Sequence, residues 1–239
     1  MKGNDMTGLP KIKHPLYEII IPSTKLQTTF RPFTVKEEKI LLTAHESEDP
    51  KQISLAIRQI ITNCVNDVDV NKLATFDVEY CLIKIRSKSV DNIAEFQIPN
   101  PENPKERIDV KINLNDIEVH YHENHTNKIK INDETMVVMR YPSFHEIEKI
   151  AGTSVDDSLA LDIMLSCIDQ IVSNDVSYTL SDFSNEEIQE FIESFTAEDT
   201  KKIKAFFDTM PEVKYEIKFT TKEGDEKTII IQGTESFFM

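Results

Sequence analysis

Hydrophobic and polar positions change period several times along the chain. Leu16-Tyr-Glu-Ile-Ile-Ile-Pro-Ser23 is β-branched and aromatic, and Leu26-Gln-Thr-Thr-Phe-Arg-Pro-Phe33 follows after a short polar turn. Together they predict a β-hairpin whose second strand ends at Pro32. Thr34, with Glu37 three residues on, carries a capping-box signature for a helix to about His45. Asp49-Pro50 marks a fresh helix start. Ile53, Ala56, Ile57, Ile60, Ile61 and Cys64 then recur at helical spacing. A third helix is expected from Val70 to Ile85, burying Leu73, Phe76, Val78, Cys81, Leu82 and Ile85. Between Ile93 and Tyr141 the period drops to two. The runs Ala94–Ile98, Ile108–Leu114, Ile117–Tyr121, Lys128–Ile131 and Met136–Tyr141 predict a small antiparallel sheet, with Asn100-Pro-Glu-Asn-Pro104 as a rigid loop.

From Pro142 the pattern is helical again. Ser143 is placed to cap a helix containing Phe144 and Glu146, which runs to Ala151 and stops at Gly152. Ser158–Val172 predicts a largely buried helix, and Asn185–Phe195 and Ala197–Asp208 an acidic helix pair, the second capped by Thr196 and stopped by Met210-Pro211. Val213–Thr220 and Lys227–Ile231, joined by Lys-Glu-Gly-Asp, predict a closing hairpin. The fold class is therefore α+β. Its expected organisation is a hairpin-and-helix module over 1–92, the small sheet over 93–141, and an acidic helical region with a C-terminal hairpin over 142–239. No internal repeat or low-complexity tract is visible.

A chain of 239 residues can bury a real core without disulfides or metal. Cys64, Cys81 and Cys167 are odd in number, widely spaced and set in apolar surroundings, as expected of reduced core thiols in a cytosolic protein. No apolar run reaches the ~18–20 residues of a bilayer-spanning helix, and the N-terminus lacks a signal-peptide core. The net charge of -15 argues against general nucleic-acid binding and suits basic protein partners. That charge is concentrated: residues 154–212 hold 14 acids and 3 lysines, whereas the first 45 hold 7 basic and 4 acidic residues, a balance of +3.

Candidate chemistry is sparse. G-x-G-x-x-G, Walker and G-x-S-x-G motifs are absent, and only 5 glycines are present for phosphate-cradling loops. His145-Glu-Ile-Glu lacks the second histidine of a metalloprotease helix, Lys149 standing in its place. His120-Tyr-His122-Glu-Asn-His125 is the strongest metal candidate. Strand alternation puts His120 and His122 on one face, with Glu123 or His125 reaching round from the turn, a donor set suited to zinc. Its plainer reading is a solvated strand end. Interaction features say more. Phe237 and Phe238 form an aromatic tail suited to anchor in a partner or to fold back on the core. Glu186, Glu187, Glu190 and Glu193 offer either a solvated face or an electrostatic guide for a basic partner. Arg31 and Phe33, beside Lys36-Glu37-Glu38-Lys39, either fix a strand-to-helix corner, the preferred reading, or form a partner surface.

Several strings also carry a resemblance. Leu9-Pro-Lys-Ile-Lys-His-Pro15, Ile21-Pro-Ser-Thr24, Arg31-Pro-Phe-Thr-Val-Lys-Glu-Glu-Lys-Ile-Leu-Leu42, and Phe76-Asp-Val-Glu-Tyr80 with Lys84-Ile-Arg-Ser-Lys-Ser89 are similar to a family of T4-like bacteriophage tail proteins. That family comprises the baseplate hub subunit and the related hub-assembly catalyst. Met139-Arg-Tyr-Pro-Ser143 and the final Gly…Phe-Phe resemble it too. The resemblance implies non-enzymatic assembly work in the infected bacterial cytoplasm, with other baseplate hub and tail proteins as partners and with a chaperone-like relation to the tape-measure protein. It supplies no catalytic or metal residues, and no cofactor is expected; charge and hydropathy already argue against nucleic acid and membrane. The alternative expectation is a metal-dependent enzyme using the His120, His122 and His125 cluster.

Overall fold

The computed structural model describes residues 12–100, 103, 105, 107–150, 152–154, 156–220 and 226–232. Phe237, Phe238, Ala151, Pro101, Pro104 and the turn at 222–225 lie outside the described residues. The architecture is α+β, with several small antiparallel sheets.

The chain opens with the expected hairpin of β1 (Tyr17–Ile20) and β2 (Gln27–Phe30), followed by α1 (Val35–Ser47), α2 (Pro50–Cys64), a 3-10 turn at Val70–Lys72 and α3 (Thr75–Ser89). The third helix thus starts later than expected. Asp69 caps the 3-10 turn, and Asp77 reaches back to the Ala74 N–H at 3.0 Å. β3 (Ile93–Pro99) and β4 (Arg107–Asn113) form a hairpin. β5 (Glu118–His120) leaves them to pair with β10 (Glu212–Thr220), which also pairs β11 (Glu226–Gln232). β6 (Lys128–Lys130) and β7 (Thr135–Met139) join β8 (Ile168–Ser173) and β9 (Val176–Thr179) in a four-stranded sheet of order β6-β7-β8-β9. The five central strands are therefore shared among three sheets, because two of the strand runs find partners far along the chain.

Between β7 and β8 lie α4 (Phe144–Ile150) and α5 (Asp157–Ser166); after β9 come a 3-10 turn at Leu180–Asp182, α6 (Asn185–Glu193) and α7 (Ala197–Asp208). The single buried helix expected over Ser158–Val172 is replaced by α5 and β8. Arg140 causes the break: its backbone N–H donates to Cys167 O at 2.8 Å and its guanidinium to Ser166 O at 2.9 Å, closing the helix end. Ile168 and Ile171, β-branched, then pair with Met139 and Val137. What remains of the apolar helix is half-buried, with Leu159, Leu161, Ile163, Met164 and Leu165 all partly exposed.

The fold also contains a repeat. Arg31, Thr34 and Glu37 recur as Arg140, Ser143 and Glu146, each 109 positions on. In both copies a hairpin strand ends just before the arginine, whose guanidinium is paired with the glutamate (Nη2 to Oε1, 3.0 and 2.7 Å). In both, that glutamate accepts from the backbone N–H and hydroxyl of the helix-capping Thr34 or Ser143. Two helices follow, the second capped by Asp49 or Asp156, and the chain returns at Cys64 or Cys167, whose carbonyl accepts the arginine N–H. The residue before the arginine then pairs with the residue after the cysteine, Phe30 with Val65 and Met139 with Ile168. Further on, the 3-10 turn from Val70, the helix start at Ala74 and its capping Asp77 recur as Leu180, Ser184 and Glu187, each 110 positions on. A hairpin ends each unit. The two units are built alike although only a few identical residues mark them.

Three apolar cores result. The first gathers the β1–β2 hairpin with α2 and α3 and includes Phe144 of the second unit; the second lies between α3, β3–β5 and β10; the third lies between the four-stranded sheet and α7.

Candidate functional site

Catalytic candidates disperse when placed on this fold. His120 and His122 are exposed at the end of β5. His125 turns the other way, its ring nitrogens 3.0 Å from Thr209 Oγ1 and 2.9 Å from Tyr141 Oη, stacked against Tyr141 and Phe206. Burial, followed by His122, pushes its pKa down. The three-histidine ligand set is thus not assembled, and among the described residues no three His, Cys, Asp or Glu side chains come together to hold a metal. Sequence alternation placed the strand correctly but could not show that the turn carries His125 into an aromatic stack.

Beside His120 and His122 lies an open cleft of about 500 Å³, also lined by Glu79, Asp208, Glu212 and Lys214. Burial, then the nearby Glu212, raises Glu79 to about 7. The cysteines are core thiols: Cys64, Cys81 and Cys167 are fully buried and free, and burial raises Cys64 and Cys167 to about 11. Nucleophilic chemistry gains nothing from such thiols.

Arg31 and Phe33 serve the corner. Arg31 is committed to buried Glu37, and Phe33 packs on the first core while its N–H donates to Ser89 Oγ at 2.9 Å. Burial alone would raise Glu37, but Arg31 and the Thr34 donors outweigh it and hold the carboxyl at about 2. Glu146 is held at about 2 by Arg140 first, against its burial.

Glu186, Glu190 and Glu193 are exposed along α6, and Glu187 closes the capping box with Ser184. Between α6 and the open end of the four-stranded sheet runs a groove of about 380 Å³, lined chiefly by Ile171, Tyr178, Leu180, Phe183, Ile188 and Phe191. From Asp175 to Glu193 the chain has six acids and no basic residue, so an apolar floor meets an acidic rim. The acids were legible in the sequence. The aromatic floor was missed, since Tyr178 and Phe183 meet Phe191 only once β9 has paired with β8. Helical spacing of Ile188 and Phe191 was the available signal. Among the described residues no helix is long and apolar enough to cross a membrane.

The family model described as T4 bacteriophage base plate protein matches residues 14–239. No curated protein and no solved structure matches the chain.

Proposed function

We propose, from the premise that the chain belongs to the T4 bacteriophage base plate protein family, that it works without catalysis in assembly of the central baseplate hub. Family membership supplies the coarse statement, a phage baseplate role among other baseplate proteins. The single observation that carries it is the length of the match, which takes in both structural units. In the finer reading the protein engages hub and tail proteins in the infected host cytoplasm, as a built-in subunit or as a chaperone of an apolar-seamed chain such as the tape measure. The surface suits that work: an acidic helix and an apolar groove face outward.

Quantitative mass spectrometry of complexes captured through this protein from infected cells, set beside purified virions, tests the reading. Hub and tail proteins in the capture with a fixed copy number in virions identify a subunit. The same partners with no copies in virions identify a chaperone. Capture without any tail protein overturns the assembly role.

A further inference from the structure

The groove beside α6 has a counterpart in the first unit, and there it is filled. By the 110-residue correspondence, Leu180, Phe183, Ile188 and Phe191 stand where Val70, Leu73, Val78 and Cys81 stand. Those four are all buried, Leu73 to 4% exposure, whereas Phe183 is 39% exposed. The second unit's own corner does the covering. Ser143 pairs with Ala74, the Phe144 N–H donates to Leu73 O at 2.7 Å, and the Phe144 ring lies in the first core at 8% exposure. Arg58 of α2 completes the junction by holding His145 and Glu148 of α4.

The first unit has the same corner, and among the described residues nothing covers it: Val35, in the place of Phe144, is 64% exposed. Each molecule therefore displays a corner at one end and an open seat for such a corner at the other. We propose that a second copy of this chain docks head to tail, its Thr34-Val35 corner seated in the Phe183–Ser184 groove as Ser143-Phe144 is seated on Leu73–Ala74. Charge agrees. Lys36 and Lys39 follow Val35 on α1 and are exposed, while Glu187 lines the groove and exposed Asp182 adjoins Phe183 in the chain. By the same correspondence α5, with its half-exposed apolar side chains, takes the place that α2 holds at the internal junction. Counting back six residues from each cysteine, Leu161 takes the place of Arg58, and Lys36 and Lys39 take the places of His145 and Glu148, so the ion pair of the internal junction is replaced by lysine stems over a leucine. The contact joins unlike surfaces, so repetition gives a series or a ring rather than a closed pair.

Sedimentation velocity of the full chain over a wide concentration range tests this. The wild type should rise in mass beyond a dimer as concentration increases, with weaker association at high salt. Val35→Glu and Phe183→Glu change exposed positions, so each should keep the wild-type circular dichroism and melting temperature. Each alone should be monomeric, and an equimolar mixture should form a heterodimer that grows no further, since one intact corner and one intact seat remain. Val35→Phe, which imitates Phe144, should tighten association severalfold. A wild type that stays monomeric throughout, a mixture that stays monomeric, or a dimer that survives in either single variant overturns the proposal.

Discussion

At the scale of single residues, the two arginine corners look alike but sit in different surroundings. Glu37 is buried to 1% exposure, whereas the Arg140–Glu146 pair is roughly a third exposed. Arg31→Ala leaves a buried carboxylate uncompensated and should cost about 3 kcal/mol in denaturant unfolding at neutral pH. Arg140→Ala should cost about 1 kcal/mol, because solvent screens what is lost. Both glutamates titrate lower in the folded than in the unfolded chain, so their stabilisation is complete above the ordinary glutamate range and is lost as pH falls towards 2. The Arg31→Ala deficit should accordingly shrink in unfolding curves taken towards pH 3. Glu79 has the opposite sign. Raised to about 7, it binds its proton more tightly when folded, so stability is full below the ordinary glutamate range and declines as pH rises to about 7. Glu79→Gln should leave acid stability unchanged and add about 1–2 kcal/mol above pH 7, a fraction of the full shift because the side chain is partly exposed. Helix-cap roles such as those of Thr34 and Glu37 were legible from spacing alone. The burial of Glu79 was not, since the strand carrying Glu212 returns to it only in the folded chain.

At the scale of elements, caps proved the most readable feature. Thr196 starts its helix as expected: its Oγ1 accepts the Asp199 N–H at 3.2 Å, and Asp199 accepts the Thr196 N–H at 3.1 Å. Thr196→Ala should cost about 1 kcal/mol, visible in unfolding curves and as faster amide exchange in the first turn of α7. The Ser158–Val172 segment misled because its apolar density fits a buried helix and a helix followed by a strand equally well. A side chain about 20 residues upstream, Arg140, decides between them by closing the helix at Ser166 and Cys167. Local periodicity carries no record of a distant donor.

At the scale of the whole molecule, the two like-built units are joined by the insertion of Phe144 into the first core. Phe144→Ala should cost about 3–4 kcal/mol and should separate one calorimetric transition into two, since it removes the side chain that makes the units unfold together. The sequence alone determined the α+β class, most helix starts, the reduced core thiols and the concentration of acid between residues 154 and 212. These follow from local spacing, capping chemistry and composition, which act over a few residues. Tertiary structure alone decided the dispersal of the histidines, the sharing of central strands among three sheets, the aromatic floor beside α6 and the repetition of the whole design. The first three depend on groups meeting in space that local spacing does not link, from Tyr178 with Phe191 across one groove to His125 with Thr209, 84 residues on, and backbone pairing constrains such meetings by geometry while leaving most side-chain identities free.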